Sequence, residues 1–342
     1  MRTGTCRCGN RIFFNNHVCL SCHARLGRCT VCGSLASLTT DEADVKCDAC
    51  HSVVHACVNQ SHGVCHSFNQ SPKKLCHWCE FTNVIPPLDR PDHVVRWGAM
   101  ESAKRRLLLQ LEQLGFPPYI GDTKQSHPLR FEFLEDSVDA EGKPMKVTTG
   151  HKNGLITINL AEADSVHRER LRVQLGERQR TLIGHMRHEA GHYIDWAWAR
   201  RVAAKEYHSL FGNPGEVDYS AAKKRHYKKG PPADWHENHV SAYSTMHPWE
   251  DFAETVNVYL DIMAIATTAN DIGGQNLDLS PDTDAAKLVE SVLDIVIRVS
   301  EYNLDLGLLP LLPERLSPTV VQKLSYVHSL RSPSVAAQIS TQ

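Results

Sequence analysis

All 12 cysteines of this 342-residue chain fall between Cys6 and Cys79. They arrive as close pairs: Cys6-x-Cys8, Cys19-x2-Cys22, Cys29-x2-Cys32, Cys47-x2-Cys50, Cys57-x7-Cys65 and Cys76-x2-Cys79. Two close pairs on separate turns supply the four thiolates of a tetrahedral structural zinc. A secreted disulfide framework is the competing reading. The repeated CxxC steps, and a start (MRTGTCRCGN) without an apolar signal core, favour metal in a reducing compartment. Sequential grouping predicts three sites: Cys6, Cys8, Cys19 and Cys22; Cys29, Cys32, Cys47 and Cys50; Cys57, Cys65, Cys76 and Cys79. Interleaved pairing stays open. So does replacement of a cysteine by His17, His23, His51, His55, His62, His66 or His77, although a solvated or packed histidine is the ordinary reading of each.

The remainder must fold on an ordinary apolar core. Residues 1–82 read as a zinc-ribbon region, 83–120 as a linker and connecting helix, 121–330 as a second domain and 331–342 as a frayed tail. Pro86, Pro87 and Pro91 mark the linker, and a helix is expected over 92–114, stopped by Gly115 and Pro117. Its apolar stripe would be Val94, Val95, Met100, Leu107, Leu108, Leu111 and Leu114, with Lys104, Arg105 and Arg106 as a solvated face or a partner surface. Strands are expected within 131–160, with turns at Gly142–Pro144 and Asn153-Gly154. Helical patterns follow, including 247–268 and 285–304. Lys223, Lys224, Arg225, Lys228 and Lys229 cluster before a loop, where capping of a helix C-terminus competes with substrate binding. The fold class expected is α+β: the Cys-rich region, then a mainly helical domain with a small β-sheet.

Residues 188–192 spell His188-Glu189-Ala190-Gly191-His192. On a helix, positions i and i+4 share a face, so both imidazoles can grip one Zn²⁺ while Glu189 deprotonates the water it binds. The alternative is a structural helix with two incidental histidines. Small and apolar neighbours fit a buried helix, and Gly191 would let another backbone pass close. A third ligand is needed. The metzincin spacing fails, because Asp195 and Trp198 stand where Gly and His are required. A carboxylate from HPWEDFAE (247–254) is the other source. Pro248 suits a first helical turn, and Glu250 and Glu254 lie one turn apart. Glu250 would be the ligand and Glu254 the acceptor behind a zinc histidine, with Asp251 and His247 as alternatives for these two jobs.

These features resemble the gluzincins. The stretch YSTMHPWEDFAE (243–254) is most similar to their lethal-factor-type branch, a resemblance that implies an oxyanion-stabilising role for Tyr243. A buried ring with a satisfied hydroxyl explains Tyr243 equally well. A wider resemblance covers most of the chain. FFNNHVCLSCHARLG (13–27), LCHWCEFTNVIPPL (75–88), RTLIGHMRHEAGHY (180–193), FGNPGEVDYSAAKKRHYKKGPPADW (211–235) and VSAYSTMHPWEDFAET (240–255) are similar to bacterial zinc-binding metallopeptidases with an N-terminal zinc ribbon. That family's activity is itself inferred from its zinc motif. The chain departs from the family pattern in two extra CxxC steps at 29–50 and in the residues after His192 and Glu254.

The expected function is therefore zinc-dependent peptide hydrolysis. One catalytic Zn²⁺ would sit on His188, His192 and Glu250, with Glu189 as general base, Tyr243 or His247 near the oxyanion, and about three structural Zn²⁺ in the cysteine sites. An extended peptide would add to the strand at 154–160. The alternatives are a zinc-ribbon scaffold with a silent metal site, and a zinc hydrolase of a non-peptide substrate. The formal charge of −2 provides no general pull on nucleic acid. Residues 1–80 carry +3 before metal and −3 with three loaded sites, so a protein partner is the better expectation there. No run of eighteen apolar residues exists, and a cytoplasmic, membrane-free protein is expected.

Overall fold

The computed structural model describes residues 3–41, 44–116, 128–175, 177, 179–200 and 203–331. Its contacts divide the chain into two units. The first comprises Met1–Leu109, Arg130–Thr149 and Thr157–Ser165; the second comprises Gln110–Leu129, Gly150–Ile156 and Val166–Gln342. The tail expected to fray lies, from 332 onward, outside the described residues, as does Pro117.

In the first unit the cysteine steps fold as knuckles. The amides of His23, Gly33 and His51 donate to the carbonyls of Cys19, Cys29 and Cys47, four residues back. His23 and His51 sit in the left-handed region, at φ 57° and 59°. They are turn residues, and among the described residues no histidine joins a cysteine cluster. The knuckles hang from short strands: β1 (Gly4–Thr5), β2 (Arg11–Ile12), β3 (Leu26–Cys29), β4 (Leu35–Asp41), β5 (Asp44–Cys47), β6 (His55–Ala56) and β7 (Ser67–Asn69). Six pair in the order β2-β1-β4-β3-β7-β6, and β5 pairs with β4. The apolar clusters of this sheet are small and partly built from cysteines, such as Cys29, Ala36, Leu38, Cys47, Val54 and Phe68. So little apolar surface does not stabilise a domain without metal.

Strand β8 (Thr82–Val84) then leads into α1 (Pro91–Leu114). Trp97, Met100, Leu107, Leu108, Leu111 and Leu114 are buried on this helix, but Val95, expected in the stripe, is 74% exposed. The basic run also departs from expectation. Lys104 and Arg105 are buried rather than solvated. Lys104 Nζ lies 2.9 Å from Glu101 Oε2 and also donates to Thr82 Oγ1, and Arg105 Nη1 donates to Val64 O at 2.6 Å. A buried cation needs such partners. Glu101 supplies the charge from one turn earlier, which a search for exposed runs does not weigh.

The remaining strands are β9 (Arg130–Leu134), the hairpin β10 (Ser137–Val138) and β11 (Pro144–Met145), β12 (Gly150–Lys152) and β13 (Leu155–Asn159). Asn153 (φ 50°) and Gly154 (φ 85°) form the β12–β13 turn, the positive-φ pair that tight hairpins demand. The sheet order is β12-β13-β9-β8. Strand β13 is therefore paired on both sides, and the expectation that 154–160 offers an edge to a peptide is corrected: β12 is the edge.

Helices dominate the second unit: α2 (Ser165–Leu175), α3 (Leu182–Ile194), α4 (Ala204–Phe211), α5 (Tyr219–Lys229), α6 (Pro248–Ile272), α7 (Ala285–Asp305) and α8 (Pro318–Ser329). Helix α3 runs into a wider π-helical turn at Asp195–Ala199. Helix α6 forms the centre of this unit and packs on α3, α7 and α8. Phe252, Val256, Tyr259, Leu260 and Met263 of α6 are buried there. The architecture is α+β, a Cys-rich stranded region followed by a mostly helical domain. Among the described residues, no helix is long and apolar enough to cross a membrane.

Candidate metal and catalytic site

Helix α3 starts at Thr181, whose hydroxyl accepts the Gly184 amide at 3.0 Å. Helix α6 starts at His247, whose Nδ1 accepts the Trp249 amide at 3.1 Å, with Pro248 in its first turn. The first turn of α6 carries Glu250 and Asp251, where the backbone dipole favours anions. The two helices touch backbone to backbone at Gly191. A Cβ there would lie 2.7 Å from Ala253 Cα and 2.9 Å from its carbonyl oxygen. That approach is what lets a carboxylate from α6 reach imidazoles on α3. Gly191→Ala is therefore expected to destabilise the fold by about 1–3 kcal/mol, because two backbones have to part. The variant should also yield its most easily removed metal to weaker chelators. Thermal unfolding and metal retention would check both effects.

Three side chains converge. His188 Nε2 lies 3.1 Å and His192 Nε2 3.3 Å from Glu250 Oε2, with the two rings nearly perpendicular. A tetrahedral ion with bonds of about 2.0–2.1 Å separates its ligand atoms by about 3.3 Å. His188 Nδ1 donates to Glu254 Oε1 at 2.7 Å, and Ser241 donates to the other Glu254 oxygen at 2.7 Å. This fixes the tautomer of His188 and turns its Nε2 lone pair toward Glu250. Tyr219 donates its hydroxyl to Glu250 Oε1 at 2.8 Å, leaving Oε2 facing the histidines. Trp249 covers His192, with ring centroids 3.8 Å apart. Glu189 is buried, and its Oε2 has no hydrogen-bond partner among the described residues.

The electrostatics suit a cation. Burial pushes the Glu250 and Glu254 carboxyls up, but contacts with His188, joined by His192 at Glu250, outweigh it and hold both below the usual carboxylate range. Burial pulls His188 down, yet Glu250 and Glu254 raise it well above the ordinary histidine value. Two ionised acids thus flank His188, Glu250 at Nε2 and Glu254 at Nδ1. Burial, followed by the charge of Glu250, pushes the Tyr219 and Tyr243 phenols up, so both stay protonated donors near neutral pH.

The other expected residues fall differently. Tyr243 opens a short 3-10 turn with its ring 6.1 Å from that of His188. His247 is a helix cap. With Nδ1 accepting from Trp249, its Nε2 donates to Val217 O at 3.1 Å, so both nitrogens are used and neither points at an oxyanion. Asp251 does not back a histidine ligand either. It is buried against Lys323 Nζ at 2.6 Å and His239 Nδ1 at 3.3 Å, where it ties α6 to α8. Neighbours on a helix point about 100° apart, so Asp251 cannot share the Glu250 face. Sequence reasoning missed Tyr219, Ser241 and Trp249. Trp249 and Ser241 lie inside or beside the 243–254 stretch, and only Tyr219 comes from a distant helix.

The cysteines form three four-residue clusters, the same sequential tetrads the spacing predicts. Their Sγ atoms are separated by 3.5 Å (Cys6–Cys22), 3.7 Å (Cys8–Cys19), 3.8 Å (Cys29–Cys50), 3.9 Å (Cys32–Cys47) and 3.8 Å (Cys65–Cys76). Tetrahedral zinc with Zn–S bonds of about 2.3 Å requires about 3.8 Å. The third tetrad is wholly buried.

His151 of β12 packs on Tyr193 and Trp196, and its Nε2 accepts the Gly154 amide at 3.0 Å. Burial, then the proximity of His192, holds its pKa down at about 4. The unfolded chain protonates this ring near 6.5, so its contribution to stability is present above that pH and is lost as pH falls toward 4. An NMR titration of His151 is expected to show a midpoint near 4; one near 6.5 contradicts this packing.

A family model described as "putative zinc-binding metallo-peptidase" matches residues 93–330, and a zinc-ribbon domain model matches residues 4–90. The chain belongs to that metallo-peptidase family. Among curated proteins it is similar to uncharacterized proteins of Mycobacterium tuberculosis (strains H37Rv and CDC 1551) and Mycobacterium bovis. Each is 35% identical over 337 residues, covering 94% of this chain and 93% of the relative. No solved structure matches the chain.

Proposed function

We propose that the protein is a zinc-dependent peptide hydrolase of gluzincin type, with His188, His192 and Glu250 holding the catalytic ion and Glu189 acting as general base. The observation that carries this reading is the convergence of two imidazole nitrogens and one carboxylate oxygen within 4.8 Å, beside a buried acid with an unused oxygen. Zinc held there supplies Lewis acidity toward a water and a substrate carbonyl. Glu189 accepts the proton of the attacking water at Oε2 and delivers it to the leaving amine nitrogen. Glu254 and Ser241 keep His188 in one tautomer, and Tyr219 keeps Glu250 turned toward the histidines. Tyr243, held protonated, donates to the developing oxyanion. The three cysteine tetrads each hold one structural Zn²⁺, which with the catalytic ion makes four. The zinc-ribbon region engages protein rather than nucleic acid, and cysteines grouped as zinc tetrads suit a reducing cytoplasm.

The test is metal exchange on the full chain. Brief chelation is expected to remove about one ion and abolish hydrolysis of an unfolded protein substrate, and one equivalent of zinc should restore it. Hydrolysis that survives loss of the ion would overturn the reading.

A further inference from the structure

Helix α5 borders the site through Tyr219, and its outer surface takes no part in holding the ion or moving a proton. Tyr219, Ala222 and His226 form its inner face: Tyr219 reaches Glu250, Ala222 is buried, and the His226 ring lies 5.9 Å from that of Tyr243. One and two turns beyond Tyr219, at i+4 and i+8, stand Lys223 and Tyr227. They continue the flank that carries the Glu250 contact. Burial pushes the Tyr227 phenol up, and the charges of Glu177 and Glu250 add to this, so Tyr227 feels the metal-ligating carboxylate. Ser220, Lys223, Lys224, Tyr227 and Lys228 line one shallow hollow.

The charges of this hollow are uncompensated. The helix carries no acidic residue, and among the described residues Lys223, Lys224 and Lys228 enter no ion pair. Attraction to the helix C-terminus accounts for Lys228 and Lys229 in the last turn, but not for Lys223 and Lys224 in the middle. Lys224 and Lys228 stand at i and i+4, where like charges destabilise a helix. A counter-charge from outside removes that repulsion.

We propose that Lys223, Lys224 and Lys228 bind carboxylates of the polypeptide that is cut at His188, His192 and Glu250, which makes the substrate an acid-rich segment. This rests on the hydrolase reading above. A peptide is favoured over nucleic acid because Lys223 stands one turn from Tyr219, which contacts Glu250, and because the hollow spans a single helix of 11 residues in a chain of net charge −2.

The test uses the full-length, zinc-loaded chain carrying Glu189→Gln, so that no probe is consumed. Two fluorescein-labelled peptides of equal length are compared by anisotropy, one rich in Asp and Glu and the other with Asn and Gln in their place. The acidic peptide is expected to bind about tenfold tighter, the sum of a few exposed ion pairs. That advantage should shrink with added salt. It should vanish in Lys223→Gln/Lys224→Gln/Lys228→Gln and survive when the same three lysines become arginine. Equal binding of the two peptides overturns the proposal. So does an acidic preference retained by the glutamine variant, or a single-stranded oligonucleotide of equal charge that binds more tightly than the peptide. The hydrolase reading fails separately: an intact acidic preference with no turnover by the unmodified chain sinks that reading alone.

Discussion

Glu189→Gln is expected to lower peptide hydrolysis by about 10²–10⁴-fold, the usual contribution of a general base, while the zinc content stays at that of the unmodified chain. Among the described residues Glu189 is buried and shares no hydrogen bond with His188, His192 or Glu250, so those three side chains are left undisturbed. Its Oε2 is buried and has no hydrogen-bond partner among the described residues. The amide keeps the size and polarity of the acid but cannot carry a proton between water and leaving group. Progress curves with an unfolded protein substrate, alongside metal analysis, measure the two effects together. Equal rates for both proteins would remove Glu189 from the chemistry.

Cys76→Ser should have the largest structural effect. Cys57, Cys65, Cys76 and Cys79 are all buried, and Cys76 also donates its amide to Cys57 Sγ at 3.2 Å. Removing one thiolate strands three others in the interior, where an uncompensated charge is costly. Zinc binding at such sites is worth about 10–16 kcal/mol in isolated zinc fingers, as much as the whole stability of a typical domain. The expected result is a loss of one zinc and unfolding of the N-terminal region, seen as rapid proteolysis within the first 90 residues, the span of the zinc-ribbon match. Cys8→Ser, at an exposed position, should cost much less. A Cys76→Ser chain as protease-resistant as the parent would show that this core stands without its metal.

The parts of the structure legible in the sequence are those written in local spacing. CxxC steps turn within a few residues, so the three tetrads follow from order alone. The i, i+4 relation of His188 and His192 is a property of any helix, and the cost of a glycine inside one pointed to the close approach that Ala253 makes at Gly191. What spacing does not encode is which distant group meets which. Tyr219 lies on another helix and reaches Glu250 only after α5 has packed. Lys104 and Arg105 looked like a solvated run because their buried partner, Glu101, precedes them by one turn. His247 and Asp251 flank the ligand-bearing position closely enough to be mistaken for its helpers. Their directions on the helix send one to Val217 and the other to Lys323. Strand β13 read as an available edge because pairing on both of its sides comes from segments outside it.

Anomalous diffraction at the zinc absorption edge, from crystals of the full chain, tests the central claim most directly. The account predicts a peak bounded by His188 Nε2, His192 Nε2 and a Glu250 oxygen at about 2.0–2.2 Å, in addition to one peak in each cysteine tetrad. Peaks in the tetrads with none between α3 and α6, or an ion there held by other side chains, would contradict it.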